Sequence, residues 1–274
     1  MKLTFLGTGT SIGVPAIGCA CPVCLSTDQR DKRRRTSLYV EAAGLHLIID
    51  TPPDFREQVL TFKVPLVDAL LVTHSHTDHI MGFDDIRRFN IVQNQVIPVY
   101  GSRATLDDLI RIFPYVKNIA PPGLAYPRVA MHPVSQPFRI VPAAPDANHI
   151  ALSQGNVGEI AVEPIPVEHA DLPTFGYRLE AEGHAMAYVP DCHFMDDAVI
   201  RRLRGIDVMI LDALRPDEHP THFTLAESVA VLRRIGARRS FITHLGHQLG
   251  HEQAQRALPA GMTVSHDGLV VNLC

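Results

Sequence analysis

The sequence predicts a layered α/β fold, and three features of the chain point to it. Apolar segments of strand length alternate with helical patterns along most of the 274 residues. A dense group of metal-binding side chains, His74-Ser75-His76-Thr77-Asp78-His79, sits where one of those strands runs out. The closing segments repeat the strand and helix alternation of the opening ones, so two βαβ-like halves are expected to form the layers.

Composition narrows the class. With 46% hydrophobic residues the chain can bury a substantial core, and a chain of this length fits one α/β domain spanning 1–274. A net charge of −4 and a pI near 6.4 lack the basic surplus of nucleic-acid binders, which counts against a nucleic-acid partner. No stretch approaches 18 uninterrupted apolar residues, so no membrane span is expected. Met1-Lys2-Leu3-Thr4-Phe5-Leu6 reads as a first strand rather than a leader. The 5 cysteines are odd in number and three crowd into Cys19–Cys24, which suits metal binding in a reducing compartment. A cytoplasmic location follows.

Strand patterns at about 2–6, 37–42 and 45–50 flank a glycine-rich and cysteine-rich loop. Further strands fall at 67–72 and 96–100, with helices near 54–62, 84–93 and 103–113. Between about 118 and 160, Pro121, Pro122, Pro127, Pro133, Pro137, Pro142 and Pro145 break any long helix. This Pro-rich excursion reads as irregular chain around one or two strands, one of them Phe138-Arg139-Ile140-Val141, and long loops of this kind often shape binding sites. Regular strands return at 160–167, 176–180, 185–189 and 208–211, and helices at about 194–204, 224–235 and 251–257. Thr224, three residues before Glu227, makes a capping-box start for the second of these helices. Strands at 239–243 and 269–273 close the chain.

The hexapeptide carries the chemistry. Neutral imidazole and carboxylate suit zinc, manganese and iron, and open sites built from them can activate water. His74 and His76, two apart, can face one ion, while Asp78 and His79 begin the next turn and can serve a second. A histidine-rich surface loop is the bland alternative. His169, Asp191 and His244 each follow a strand pattern and have ligand chemistry, although each taken singly also suits a loop His or turn Asp. Asp50 closes Leu47-Ile48-Ile49 and either orients a ligand imidazole or makes the turn before Pro52-Pro53.

A second group is Cys19-x-Cys21-x2-Cys24. It offers three thiolates, one short of a closed tetrahedral zinc site, so a fourth ligand must come from elsewhere; three free thiols are the alternative. Cys192 and Cys274 read as bystanders. His222 is the candidate proton donor, with His219 and His193 competing for that role. Arg56, Arg87 and Arg88 could contact phosphate but suit a solvated helix surface equally, and the run from Arg30 to Arg35 reads as a soluble loop.

The hexapeptide resembles the signature of the metallo-β-lactamase fold superfamily. Leu6-Gly7-Thr8-Gly9-Thr10-Ser11, Cys19-Ala20-Cys21-Pro22-Val23-Cys24, Ile49-Asp50-Thr51-Pro52-Pro53-Asp54-Phe55-Arg56 and Gly82-Phe83-Asp84-Asp85-Ile86-Arg87 are similar to its PhnP-type branch, the phosphoribosyl 1,2-cyclic phosphate phosphodiesterases. The resemblance implies an αββα sandwich with metals at one edge. It implies His74, His76 and His169 around one ion, Asp78, His79 and His244 around the other, and Asp191 bridging, with two catalytic Mn or Zn ions. It assigns His247 to a structural Zn with Cys19, Cys21 and Cys24, in a loop at about 18–25, and makes Asp78 and His222 the catalytic residues.

The substrate so implied is a small cyclic phosphate, opened by a metal-bridging hydroxide while His222 protonates the leaving oxygen. Two other readings stay open. A thioester or lactone hydrolase would keep the fold and attack a carbonyl carbon. A branch linked to pyrroloquinoline quinone biosynthesis shares the cysteine loop, but its hexapeptide is degenerate where this one is intact. Relatives form dimers, which leaves a homodimer open.

Overall fold

The computed structural model describes residues 1–118, 124–142 and 158–273. Pro121, Pro122, Pro145 and Cys274 lie outside the described residues.

The first sheet is built from β1 (Lys2–Gly7), β2 (Ser37–Ala42), β3 (Leu45–Ile49), β4 (Ala69–Leu71), β5 (Ile97–Gly101) and β6 (Val129–Pro133). The second holds β7 (Phe138–Ile140), β8 (Ile160–Val167), β9 (Thr174–Ala181), β10 (His184–Val189), β11 (Val208–Asp212), β12 (Arg239–Thr243) and β13 (Met262–Val264); β14 (Val270–Asn272) returns to the first. The strand orders are β14-β1-β2-β3-β4-β5-β6 and β13-β12-β11-β10-β9-β8-β7. Within the first sheet β3 to β6 run parallel, and within the second β10 to β13 do.

Period-two burial explains the layers. In β10, Met186 and Tyr188 face the other sheet while Ala187 and Val189 face helices. Val208 and Ile210 of β11 likewise point inward, and Met209 and Leu211 outward. Such strands are apolar on both faces, which is why the segment reads as a continuous hydrophobic run. Leu3, Phe5, Leu38, Val40, Leu47 and Leu71 meet Val162, Tyr177, Leu179, Tyr188, Ile210 and Phe241 between the sheets.

Outside the first sheet lie α1 (Phe55–Thr61), α2 (Thr77–Ile80), α3 (Ile86–Gln93) and α4 (Arg103–Ile112). They bury Phe55, Ile80, Ile86, Phe89, Leu106 and Leu109 against it. Over the second sheet, α5 (Asp197–Arg202), α6 (Leu225–Ile235) and α7 (His251–Ala257) bury Ile200, Leu232, Ile235 and Ala254. The architecture is an αββα sandwich. Thr224 and Glu227 form both halves of the capping box, and Gly236 closes α6 in the left-handed region at φ 63°.

Two strands escape the sequence pattern. β6 and β13 are edge strands; β6 is only partly buried and ends at Pro133, whose missing N–H is tolerated at an edge. α2 forms a single turn inside the hexapeptide, and α5 is shorter than expected because Asp196 caps it, its Oδ1 accepting from the Ala198 N–H at 2.6 Å. Among the described residues no helix is long and apolar enough to cross a membrane.

The topology fixes where chemistry can occur. β3, β4, β8, β10, β11 and β12 all run the same way in their sheets, so their carboxyl ends share one rim. In α/β sheets that rim is where ligands bind. Asp50, His74, His169, Asp191, Asp212 and His244 stand on it, each ending or just following one of these strands.

Candidate active site and metal centres

At the end of β4 the chain turns and presents the hexapeptide. His74 Nε2 lies 2.9 Å from His76 Nδ1, and His169 Nε2 lies 3.2 Å from the same atom. Each ring is aimed by its other nitrogen or its anchor. His74 Nδ1 contacts Thr73 Oγ1 at 3.0 Å, and His169 Nδ1 donates to the Thr221 carbonyl at 2.8 Å. Ser75 Oγ donates to Asp108 Oδ2 at 2.6 Å and ties the loop to α4.

Beside this trio stands a second. His79 Nε2 is 3.3 Å from Asp78 Oδ2, and His244 Nε2 is 3.6 Å from that oxygen. Asp191 reaches both trios: its Oδ2 is 3.1 Å from His79 Nε2, and its Oδ1 is 3.2 Å from His244 Nε2 and 3.8 Å from His169 Nε2. In each trio the ligand atoms lie within 4.8 Å of one another.

These residues fit a cation on two grounds. His79 Nε2, His244 Nε2 and Asp191 Oδ2 are buried and, among the described residues, make no well-aligned hydrogen bond although they lie close together. Buried polar atoms left so would be costly without a common ion. The charge balance agrees. Burial would raise Asp191, yet His244 and His79 outweigh it and hold the carboxyl well below its usual range. Burial would lower His79, yet Asp191, Asp78 and Asp50 around it hold the imidazole well above its usual range. Three carboxylates around one imidazole make a hole for positive charge.

Asp50 takes the orienting role. It is fully buried, with φ 67°, and accepts from His79 Nδ1 at 2.8 Å and from the Thr73 N–H and hydroxyl, each at 2.8 Å. Its bond leaves His79 Nε2 free to ligate.

The cysteine loop closes on the same region. Cys19, Cys21 and Cys24 Sγ lie 3.2, 3.5 and 3.6 Å from His247 Nδ1, a four-ligand set suited to structural zinc. The Cys24 N–H and His247 lower the Cys21 thiol to about 6. His247 follows His244 by three residues, and the link is pinned: Leu245 N–H donates to Thr8 O at 3.1 Å, and Thr10 N–H to Leu245 O at 3.2 Å.

His222 stacks on His244 with ring centroids 4.9 Å apart and meets His169 edge-on at 4.7 Å. Its Nδ1 donates to Asp212 Oδ2 at 2.8 Å. Burial would depress this imidazole, but Asp212 outweighs it and holds His222 at about 9. Asp212 was not among the sequence candidates. Its signal was available, since it closes the apolar run Val208–Asp212 as Asp50 closes Leu47–Ile49. His222 also lies within ligand range of His169 and Asp191.

Other candidates sort differently. Arg87 pairs with Asp84 at 2.8 Å on the surface, and Arg34 and Arg35 pair with Glu57 and Asp54. Arg33 departs from the expected solvated run: it is buried, with Nη1 donating to Thr8 Oγ1 and Ser265 O, and Nη2 to His251 Nδ1. Cys192 is buried with its thiol donating to Phe194 O at 3.3 Å.

A family profile described as the β-lactamase superfamily domain matches residues 46–245. A Porphyromonas gingivalis protein named Octanoyltransferase is 33% identical over 98% of this chain, which spans 51% of that protein. The chain thus covers about half the length of that relative. Coenzyme PQQ synthesis protein B of a Methylobacterium species is 28% identical across the full length of both. A crystal structure of a diphosphatase from the PhnP family shares 37% identity, with a TM-score of 0.85 over 99% of this chain and 97% of that one. Zinc-bound PqqB from Methylobacterium extorquens, 20% identical with a TM-score of 0.77 over the whole of both chains, shares the fold.

Proposed function

Because the chain belongs to the β-lactamase superfamily, we propose that it is a metal-dependent phosphodiesterase opening a small cyclic phosphate of the phosphoribosyl or cyclic nucleotide type. The observation that carries this reading is the placing of Asp191 between the His74, His76, His169 trio and the Asp78, His79, His244 trio, beside a His222–Asp212 pair. The likeness to a PhnP-family diphosphatase supports phosphorus over carbon as the centre attacked.

Two divalent ions, Zn or Mn, held by these residues would supply water activation and neutralise phosphate charge. The protein's part is positional. Asp191 meets the second trio through both oxygens, at His79 and His244, and reaches His169 of the first through Oδ1, while Asp78 stands beside His79 and His244. Asp50 and the Thr221 carbonyl hold His79 and His169 in the tautomers that leave Nε2 free. His222 Nδ1 is committed to Asp212, so its Nε2 is the atom that can hand a proton to a departing alkoxide. Cys19, Cys21, Cys24 and His247 would hold a structural Zn that fixes the segment bearing His244.

A carbonyl-ester reading draws on the relative named Octanoyltransferase. A substrate panel separates the two. Purified enzyme loaded with Mn or Zn is assayed on 2′,3′-cyclic AMP, bis(p-nitrophenyl) phosphate and an acyl thioester. Turnover of the diesters, lost in Asp191→Ala, supports the proposal; turnover of the thioester alone replaces it.

A further inference from the structure

Past His222, toward solvent, the same row of rings continues. His219 lies 5.2 Å from His222, centroid to centroid, and is partly exposed, with exposed His193 and half-buried Arg215 beside it. It touches neither ligand trio by hydrogen bond among the described residues. Its orientation is nevertheless fixed. The Thr221 N–H donates to His219 Nδ1 at 3.3 Å, and Thr221 Oγ1 contacts the same nitrogen at 3.2 Å. A backbone N–H can only donate, so Nδ1 accepts and the proton of the neutral ring sits on Nε2. Burial, with positive neighbours His222 and Arg215, keeps the ring on the neutral side.

Thr221 is also the residue whose carbonyl aims His169 at the metal trio. One residue, Thr221, thus holds a ligand imidazole through its carbonyl and a further N–H donor through its amide and hydroxyl. A substrate whose departing oxygen meets His222 would present its flanking oxygens toward the next ring, 5.2 Å away centroid to centroid.

We propose that His219 is a substrate-contacting residue whose Nε2–H donates to a sugar oxygen next to the cyclic ester, so that the site favours diesters built on a polyol. This rests on the phosphodiesterase reading. His219→Phe removes the donor and keeps the ring, while His219→Gln places an amide N–H near the Nε2 position. Loss of one such bond should raise KM for 2′,3′-cyclic AMP about tenfold with a much smaller change in kcat. The Gln variant should recover most of that loss, and the effect on bis(p-nitrophenyl) phosphate, which has no sugar, should be severalfold smaller. An unchanged KM for the cyclic nucleotide, an equal rise for both diesters, or a Gln variant as impaired as Phe would overturn the inference. If the wild type opens neither diester, the phosphodiesterase reading has failed and this inference falls with it.

Discussion

Asp212 Oδ2 accepts the Nδ1–H of His222 at 2.8 Å, and both side chains are buried beside the two metal trios. The pair gives a histidine beside the two ligand trios a defined tautomer and a proton to give. Asp212→Asn can keep the packing but not the charge. It should lower kcat for diester hydrolysis about a hundredfold while metal content stays at the wild-type value. Steady-state kinetics alongside elemental analysis checks this.

Asp50 acts one layer behind His79. Asp50→Asn can keep one oxygen for the Thr73 hydroxyl and the His79 N–H, which share Oδ2, but it then turns an NH2 toward the Thr73 N–H that Oδ1 accepts, and it removes the charge. The affinity of the second trio for metal should fall about 10–100-fold, read by competition with a chromophoric chelator. An unchanged affinity would remove Asp50 from its orienting role.

The cysteine site should act on the catalytic one through the short segment from His244 to His247. Cys21→Ser should lose one metal per chain, lower the thermal midpoint and weaken diester hydrolysis without touching the trios directly. Loss of the zinc with full activity and unchanged melting would separate the two sites.

His251 gives a pH signature. It is buried, and burial together with Arg33 lowers its imidazole to about 4, below the ordinary value of 6.5. In this range the unfolded chain therefore binds the proton more readily than the folded one. The stability contributed by the neutral ring is fully present above pH 6.5 and is lost as pH falls toward 4. His251→Gln should flatten that part of the stability curve relative to wild type, measured by denaturant unfolding at a series of pH values.

Much of this was readable from the chain. Val208–Asp212 and Ile160–Val167 are dense enough in apolar residues to be recognised as strands without their partners. Val129–Pro133 was not, because an edge strand needs neither a continuous apolar run nor every N–H. The hexapeptide was legible because four ligand candidates lie side by side in sequence. Asp212 was not, because its meaning depends on His222 ten residues on, across a loop. The burial of Arg33 is hidden in the sequence for a similar reason: the groups that cover it, Ser265 and His251, come from the far end of the chain.

The two-trio assignment is tested most directly by metal content per chain, measured by mass spectrometry in wild type, Asp191→Ala and Cys21→Ser. About three metals are expected in wild type, one fewer in Cys21→Ser, and in Asp191→Ala a loss confined to the dinuclear centre. One metal or none in wild type, or a full complement in Asp191→Ala, would contradict the assignment.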